Sequence, residues 1–212
     1  MATDEARDAA LTERWAAAVR AAGGSGDPSP YAENLLARWS EPQRRYHTVE
    51  HLTAVLDRVD VLEEYADDPA AVRLAVWFHD AVYLPERDTN EERSARLAER
   101  ALPELGIDPG EVARLVRLTV THDPADDDRD GQVLCDADLA VLASPAPGYA
   151  AYAAAVREEY GFVPDEAFRA GRAAVLRQLL DLPRLFRTPY GAREWEEAAR
   201  GNLREELATL SG

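Results

Sequence analysis

Apolar residues recur every three to four positions along almost the whole chain, the period of a helix that buries one face. The Ala-rich segment ATDEARDAALTERWAAAVRAAGG carries Leu11, Trp15 and Val19 on one such face and stops at Gly23-Gly24. GSGDPSP is a loop, and Ser29-Pro30 reads as the N-cap and first position of a helix through Trp39. After Thr48, the set Val49, Leu52, Val55, Leu56, Val59 and Leu62 fits one helix face. PAAVRLAVWFHDAVYL has few polar residues and predicts a buried central helix starting at Pro69. Thr89 and Glu92 form a capping box for the next helix, which Gly106 ends. Asp108-Pro109-Gly110-Glu111 caps another, running to about Thr121. HDPADDDRDGQ predicts an acidic, solvated loop without EF-hand spacing. VLCDADLAVLA has strand-like apolar runs, but its helical surroundings favour a short buried helix. Three further helical segments follow, from Ala146, Pro164 and Gly191. No repeat and no second composition regime interrupts the pattern, so the expectation is one all-α domain spanning 1–212.

Composition narrows the function. The chain has 212 residues, enough for a sizeable core, and 46% of them are hydrophobic. The formal net charge of −16 argues against nucleic-acid polymers and anionic membranes as partners. It leaves room for a small anionic substrate, because a local arginine cluster overrides a global field. Cys135 is the single cysteine, which excludes an intrachain disulfide and a Cys-rich zinc module; it reads as a small buried apolar residue. MATDEARDAALTERW is acidic and lacks the apolar stretch of a signal peptide, and no apolar run reaches the ~18 residues of a membrane span. A cytoplasmic protein is expected; oligomeric state is not legible.

The chemistry lies where polar residues interrupt apolar segments. His79-Asp80 sits in the least polar helix, and Asp136 and Asp138 are flanked by Val133, Leu134, Leu139, Val141 and Leu142. Buried imidazoles and carboxylates are costly unless paired or bound to a cation. The four histidines, His47, His51, His79 and His122, each lie beside an acid or another histidine. A divalent metal resolves these anomalies together. For His47-x3-His51 alone, an amphipathic helix start is the competing reading.

The order His51, His79-Asp80, Asp138 resembles the H…HD…D signature of the HD-domain superfamily of metal-dependent phosphohydrolases. RRYHTVEHL, WFHDAVY, TNEERSA, THD, LCDADLAVL and YAAYAAAVREEY are similar, more closely, to a bacterial branch of predicted HD phosphohydrolases of about this length. The resemblance covers about 46–160 strongly and the remainder loosely. It implies an HD-type helical bundle and a metal centre of His51, His79, Asp80 and Asp138 holding Mn, Mg, Fe, Co, Ni or Zn. Asp136 competes for the last ligand place, with a supporting role behind Asp138 as its other assignment. Tyr46-His47-x3-His51 also resembles a segment of cyclic-nucleotide phosphodiesterases in which the first histidine protonates the leaving group. That makes His47 the candidate acid; Thr48 stands where those enzymes have asparagine, so their specificity is not implied.

The expected activity is hydrolysis of a nucleotide or another small phosphorylated metabolite. A non-catalytic nucleotide- or metal-binding sensor and a di-iron oxygenase of the same fold are the alternatives. His122 and Asp136 are expected second-metal ligands or phosphate contacts. Asp80, as a possible bridge to a second metal, and Glu91, beside the pocket, join His47 as candidate catalytic groups. Glu92 is equally well explained as a first-turn acid. Arg157 and Arg172 are candidate phosphate clamps, with ion-paired surface arginines as the competing reading. Trp77, Tyr149, Tyr152 and Phe168 read as core rather than as a stacking platform.

Overall fold

The spacing of three and four resolves into helices alone. The computed structural model describes residues 2–211; Met1 and Gly212, the ends of the span expected to form the domain, lie outside the described residues. In order, the helices are α1 (Ala2–Ala21), α2 (Ser29–Trp39), α3 (Val49–Leu62), α4 (Pro69–Phe78), α5 (Asn90–Glu104), α6 (Gly110–Leu118), α7 (Arg129–Leu139), α8 (Ala146–Glu159), α9 (Asp165–Asp181), α10 (Pro189–Glu194) and α11 (Glu196–Ser211). Short 3-10 turns extend α3 over Glu63–Tyr65 and α7 over Ala140–Ala143.

The fold is built round α4, whose residues are buried apart from Pro69 and Arg73. It packs against α1, α3, α5, α6 and α7. Trp15 of α1 meets Trp77 and Phe78 edge-on, at centroid distances of 5.4 and 5.9 Å. All six apolar residues expected on the inner face of α3 are buried. Full burial of a large apolar side chain is worth about 1.5–3 kcal/mol, so this layer dominates the stability. A second, smaller apolar cluster joins the 140–143 turn, Tyr149, Leu176, Leu185, Phe186, Ala199 and Leu203. Trp195 packs against both clusters. Among the described residues, no single helix is long and apolar enough to cross a membrane.

Several ends differ from expectation. The central helix stops at Phe78, so His79 and Asp80 lie in the turn beyond it rather than inside it. Ser29 is already helical, and the start is fixed instead by Asp27, whose Oδ1 accepts the Ser29 N–H at 3.0 Å. Thr89 makes no side-chain cap, and Glu92, the other half of the expected box, pairs with Arg96 and Arg117 instead. Gly106, at φ 77°, ends the α5 segment as expected. VLCDADLAVLA is helical, with no strand. The acidic loop gives up its end to α7: Asp128 caps Gly131 N–H, and buried Asp130 accepts the N–H groups of Asp67 and Asp68 at 2.8 Å each.

Candidate metal centre

Five segments deliver side chains to one place, most of them at helix ends. His51 comes from the first turn of α3, His79 and Asp80 from the turn after α4, and Asp138 from the last turn of α7. His122 follows α6, and Glu159 ends α8. The C-terminal ends of α4, α7 and α8 carry the negative pole of the helix dipole, which favours cations and disfavours the carboxylates placed there.

His51, His79 and Asp80 are buried, and each offers a ligand atom within 4.8 Å of the others. His51 Nε2 lies 3.3 Å from His79 Nε2 and 3.1 Å from Asp138 Oδ1. His79 Nε2 lies 3.2 Å from Asp80 Oδ2 and 3.7 Å from Asp138 Oδ1. His122 Nε2 holds the other Asp138 oxygen at 2.8 Å. Its backbone is in the left-handed region, φ 49°, a conformation that costs a non-glycine residue about 1–3 kcal/mol. The carboxylates of Asp80 and Asp138 are both held below their ordinary range: burial opposes their charge, and the imidazoles beside them overcome it.

The tautomer of His79 shows what this arrangement needs. Its Nδ1 lies 2.8 Å from the Val76 carbonyl, which only accepts, so Nδ1 carries the proton. A neutral ring then turns a bare Nε2 lone pair toward Asp80 Oδ2. A proton on His51 Nε2, donated to Asp138, leaves that opposition in place. The cluster therefore requires either a further proton between His79 and Asp80 or a cation. Burial disfavours charge on His79, but Asp80 and Asp138 hold its pKa well above the usual value. His51 is pushed the other way by burial and by the neighbouring imidazoles, leaving a neutral donor. Two imidazoles and two carboxylates are a fitting ligand set for a divalent metal.

A second arrangement adjoins the first. His47 Nδ1 lies 2.5 Å from Glu159 Oε1, and its Nε2 points to Asp80 Oδ2 at 3.8 Å. Glu159 is buried, accepts the Tyr83 hydroxyl, and receives the N–H groups of Arg45, Tyr46 and His47. Burial lowers the His47 pKa, but Asp80 and Glu159 outweigh it and raise the net value. Arg44 sews the two arrangements together. Its buried guanidinium donates to the carbonyls of His47, Asp80 and Ala81 and lies over the Trp39 and Tyr83 rings. Asn90 and Ser94 hold the 82–87 loop through its backbone.

Four expected site residues fall elsewhere. Asp136 turns away from the cluster: Arg187 N–H, Thr188 N–H and the Thr188 hydroxyl donate to its oxygens at 2.8, 2.8 and 2.6 Å, and burial pushes its pKa up to about 6. Arg157 binds Asp165 and stacks on Phe168. Arg172 makes a two-pronged pair with Glu206 and lies over Tyr152. No hydrogen bond or ion pair among the described residues joins Glu91 to the cluster. Tyr152 is more than core, because it lines a cavity shared with His51. Glu159, Tyr83 and Arg44 escaped the sequence reading; the only signal for them was their place within RRYHTVEH, WFHDAVY and VREEY. No protein-family model, curated protein or solved structure matches the chain.

Proposed function

We propose that the chain is a metal-dependent phosphohydrolase acting on a nucleotide or another small phosphorylated metabolite. The observation that carries this reading is the contact of His79 Nδ1 with the Val76 carbonyl, which fixes a proton there and leaves Nε2 facing the Asp80 carboxylate. His51, His79, Asp80 and Asp138 would hold the divalent cation. Once bound, it supplies Lewis acidity toward a phosphoryl oxygen and lowers the pKa of a water toward neutrality. Glu159 fixes the His47 ring and favours its protonated form, and Nε2 gives that proton to the leaving oxygen. His122 holds one Asp138 oxygen and so orients the other. A pure binding module has no use for the His47–Glu159 pair beside its metal, which favours hydrolysis over sensing. A cytoplasmic location suits such a substrate.

The test is a phosphatase screen over nucleotides and sugar phosphates with Mn, Mg, Co, Ni, Zn and Fe(II), read beside elemental analysis. His79→Ala and Asp80→Ala should retain no metal, and His51→Ala should lose metal and turnover together. His47→Ala should keep its metal and lose turnover by roughly 100- to 10,000-fold. Its deficit should shrink on p-nitrophenyl phosphate, whose leaving group departs without a proton. Metal content in His79→Ala equal to that of the parent would overturn the proposal.

A further inference from the structure

Beside the cluster, a cavity of about 400 Å³ opens between α3 and α8. His51, Ala54 and Arg58 line it from α3, Tyr152 and Ala155 from α8, and Tyr46 from the segment before α3. It is large enough for a small organic molecule.

Arg58 is set apart by how little it is engaged. Arg44 spends its guanidinium on three carbonyls and Glu41, and Arg45 on Glu158 and two carbonyls. Arg58 is half-buried, yet its hydrogen bonding among the described residues amounts to a 3.5 Å contact with the Ala137 carbonyl. That contact places it against the last turns of α7, one residue from Asp138. A guanidinium removed from water and not tied to a carboxylate is a strong partner for a phosphate.

The hydrogen-bonding groups of the cavity wall are mostly engaged elsewhere: Arg45 with Glu158 and two carbonyls, the Thr48 hydroxyl with Glu50, and the Tyr152 hydroxyl with Arg172. No side-chain amide lines it, and its carboxylate, Glu50, is taken by Arg7 at 2.7 Å and by the Thr48 hydroxyl at 2.6 Å. Alanines and tyrosine rings form much of the remaining wall.

We propose that Arg58 grips the phosphate oxygens of a phosphate ester whose compact, largely apolar organic group fills this cavity. The inference rests on the phosphohydrolase reading and goes further, because it assigns the anion-binding residue and the substrate class. Selection is by charge and shape, so small aryl and alkyl phosphates bind better than hydroxyl-rich sugar phosphates.

The experiment measures binding of inorganic phosphate to Mn-loaded and metal-free protein by calorimetry, with manganese content determined in parallel. Arg58→Gln keeps the manganese of the parent and weakens phosphate binding roughly tenfold or more, the loss of one charge-assisted contact. Arg58→Lys recovers part of it. Ala155→Leu leaves inorganic phosphate binding unchanged and raises KM for phenyl phosphate, because it fills the cavity and not the anion site. Equal phosphate binding by parent and Arg58→Gln, with metal or without, overturns the role of Arg58, as does a parent that binds no phosphate. A parent that holds no manganese or other divalent metal overturns instead the reading of the histidine cluster. Tighter binding of glucose 6-phosphate than of phenyl phosphate overturns the substrate class.

Discussion

Asp136 and Asp138 are two residues apart on α7, and in a helix that spacing turns side chains to nearly opposite sides. Asp138 therefore faces the histidines and Asp136 the backbone of Arg187 and Thr188. Asp138→Asn should cost most of the metal affinity, whereas Asp136→Asn should keep the metal and lose stability. An amide there points N–H groups at N–H donors, worth about 1–3 kcal/mol in a denaturant titration. A strand would have put both carboxylates on one face, so the ambiguity between the two vanishes once the segment is helical. The four imidazoles were legible because histidine is scarce here and lies in apolar or acidic company. Glu159 was not, because Glu158 and Glu159 close an Ala-rich helix and only its rotational phase decides which turns inward. Its burial opposes charge, but His47 and the backbone donors pull its pKa down to about 2 from 4.5. This stabilisation is complete above pH 4.5 and is lost as pH falls through about 2. His47, with its raised pKa, contributes fully below 6.5 and loses its contribution as pH rises through the folded value. In chelator-treated protein, the stability gap between parent and Glu159→Gln should peak between about pH 4.5 and 6.5, at roughly 3 kcal/mol. A gap that does not vary with pH would show the pair to be unimportant.

Helix starts show how tertiary partners override local signals. Thr89-x-x-Glu92 satisfies the capping pattern, yet two arginines compete for Glu92, and Asn90 rather than Thr89 organises the loop before α5. Arg157 and Arg172 looked available because their carboxylate partners, Asp165 and Glu206, lie eight and 34 residues away, beyond any short-range pattern. The final helix was expected as one piece from Gly191, but it breaks at Trp195, whose ring packs on both apolar clusters. α10 has a sound local start: the Thr188 hydroxyl accepts Gly191 N–H at 3.0 Å. A Cβ on Gly191 would stand 2.6 Å from Asp136 Oδ2 and 2.9 Å from Phe186 Cβ. Gly191→Ala should therefore destabilise by about 1–3 kcal/mol in thermal unfolding, through crowding, with metal content unchanged. An unaltered midpoint would mean that the 186–191 segment shifts freely.

Across the molecule, the periodicity foretold helices throughout, because one amphipathic face per helix is what a layered α-bundle requires. It could not foretell that the apolar residues divide between two clusters, since that division depends on which faces meet. The division runs close to the centre: His51 and Asp138 stand on helices of the larger cluster and His79 directly follows one, whereas Glu159 stands on α8, which packs with the smaller. Glu159, which orients the proposed proton donor His47, and the proposed metal ligands are thus anchored to different parts of the protein. Segments with fewer buried apolar contacts open at lower free energy than the core. Amide protons of α8 and α9 should exchange in modest urea at which those of α4 remain protected, and in that window turnover should disappear while the bound metal stays. On the proposed reading, activity would be silenced by a partial melting that leaves the metal in place and reverses when the denaturant is diluted.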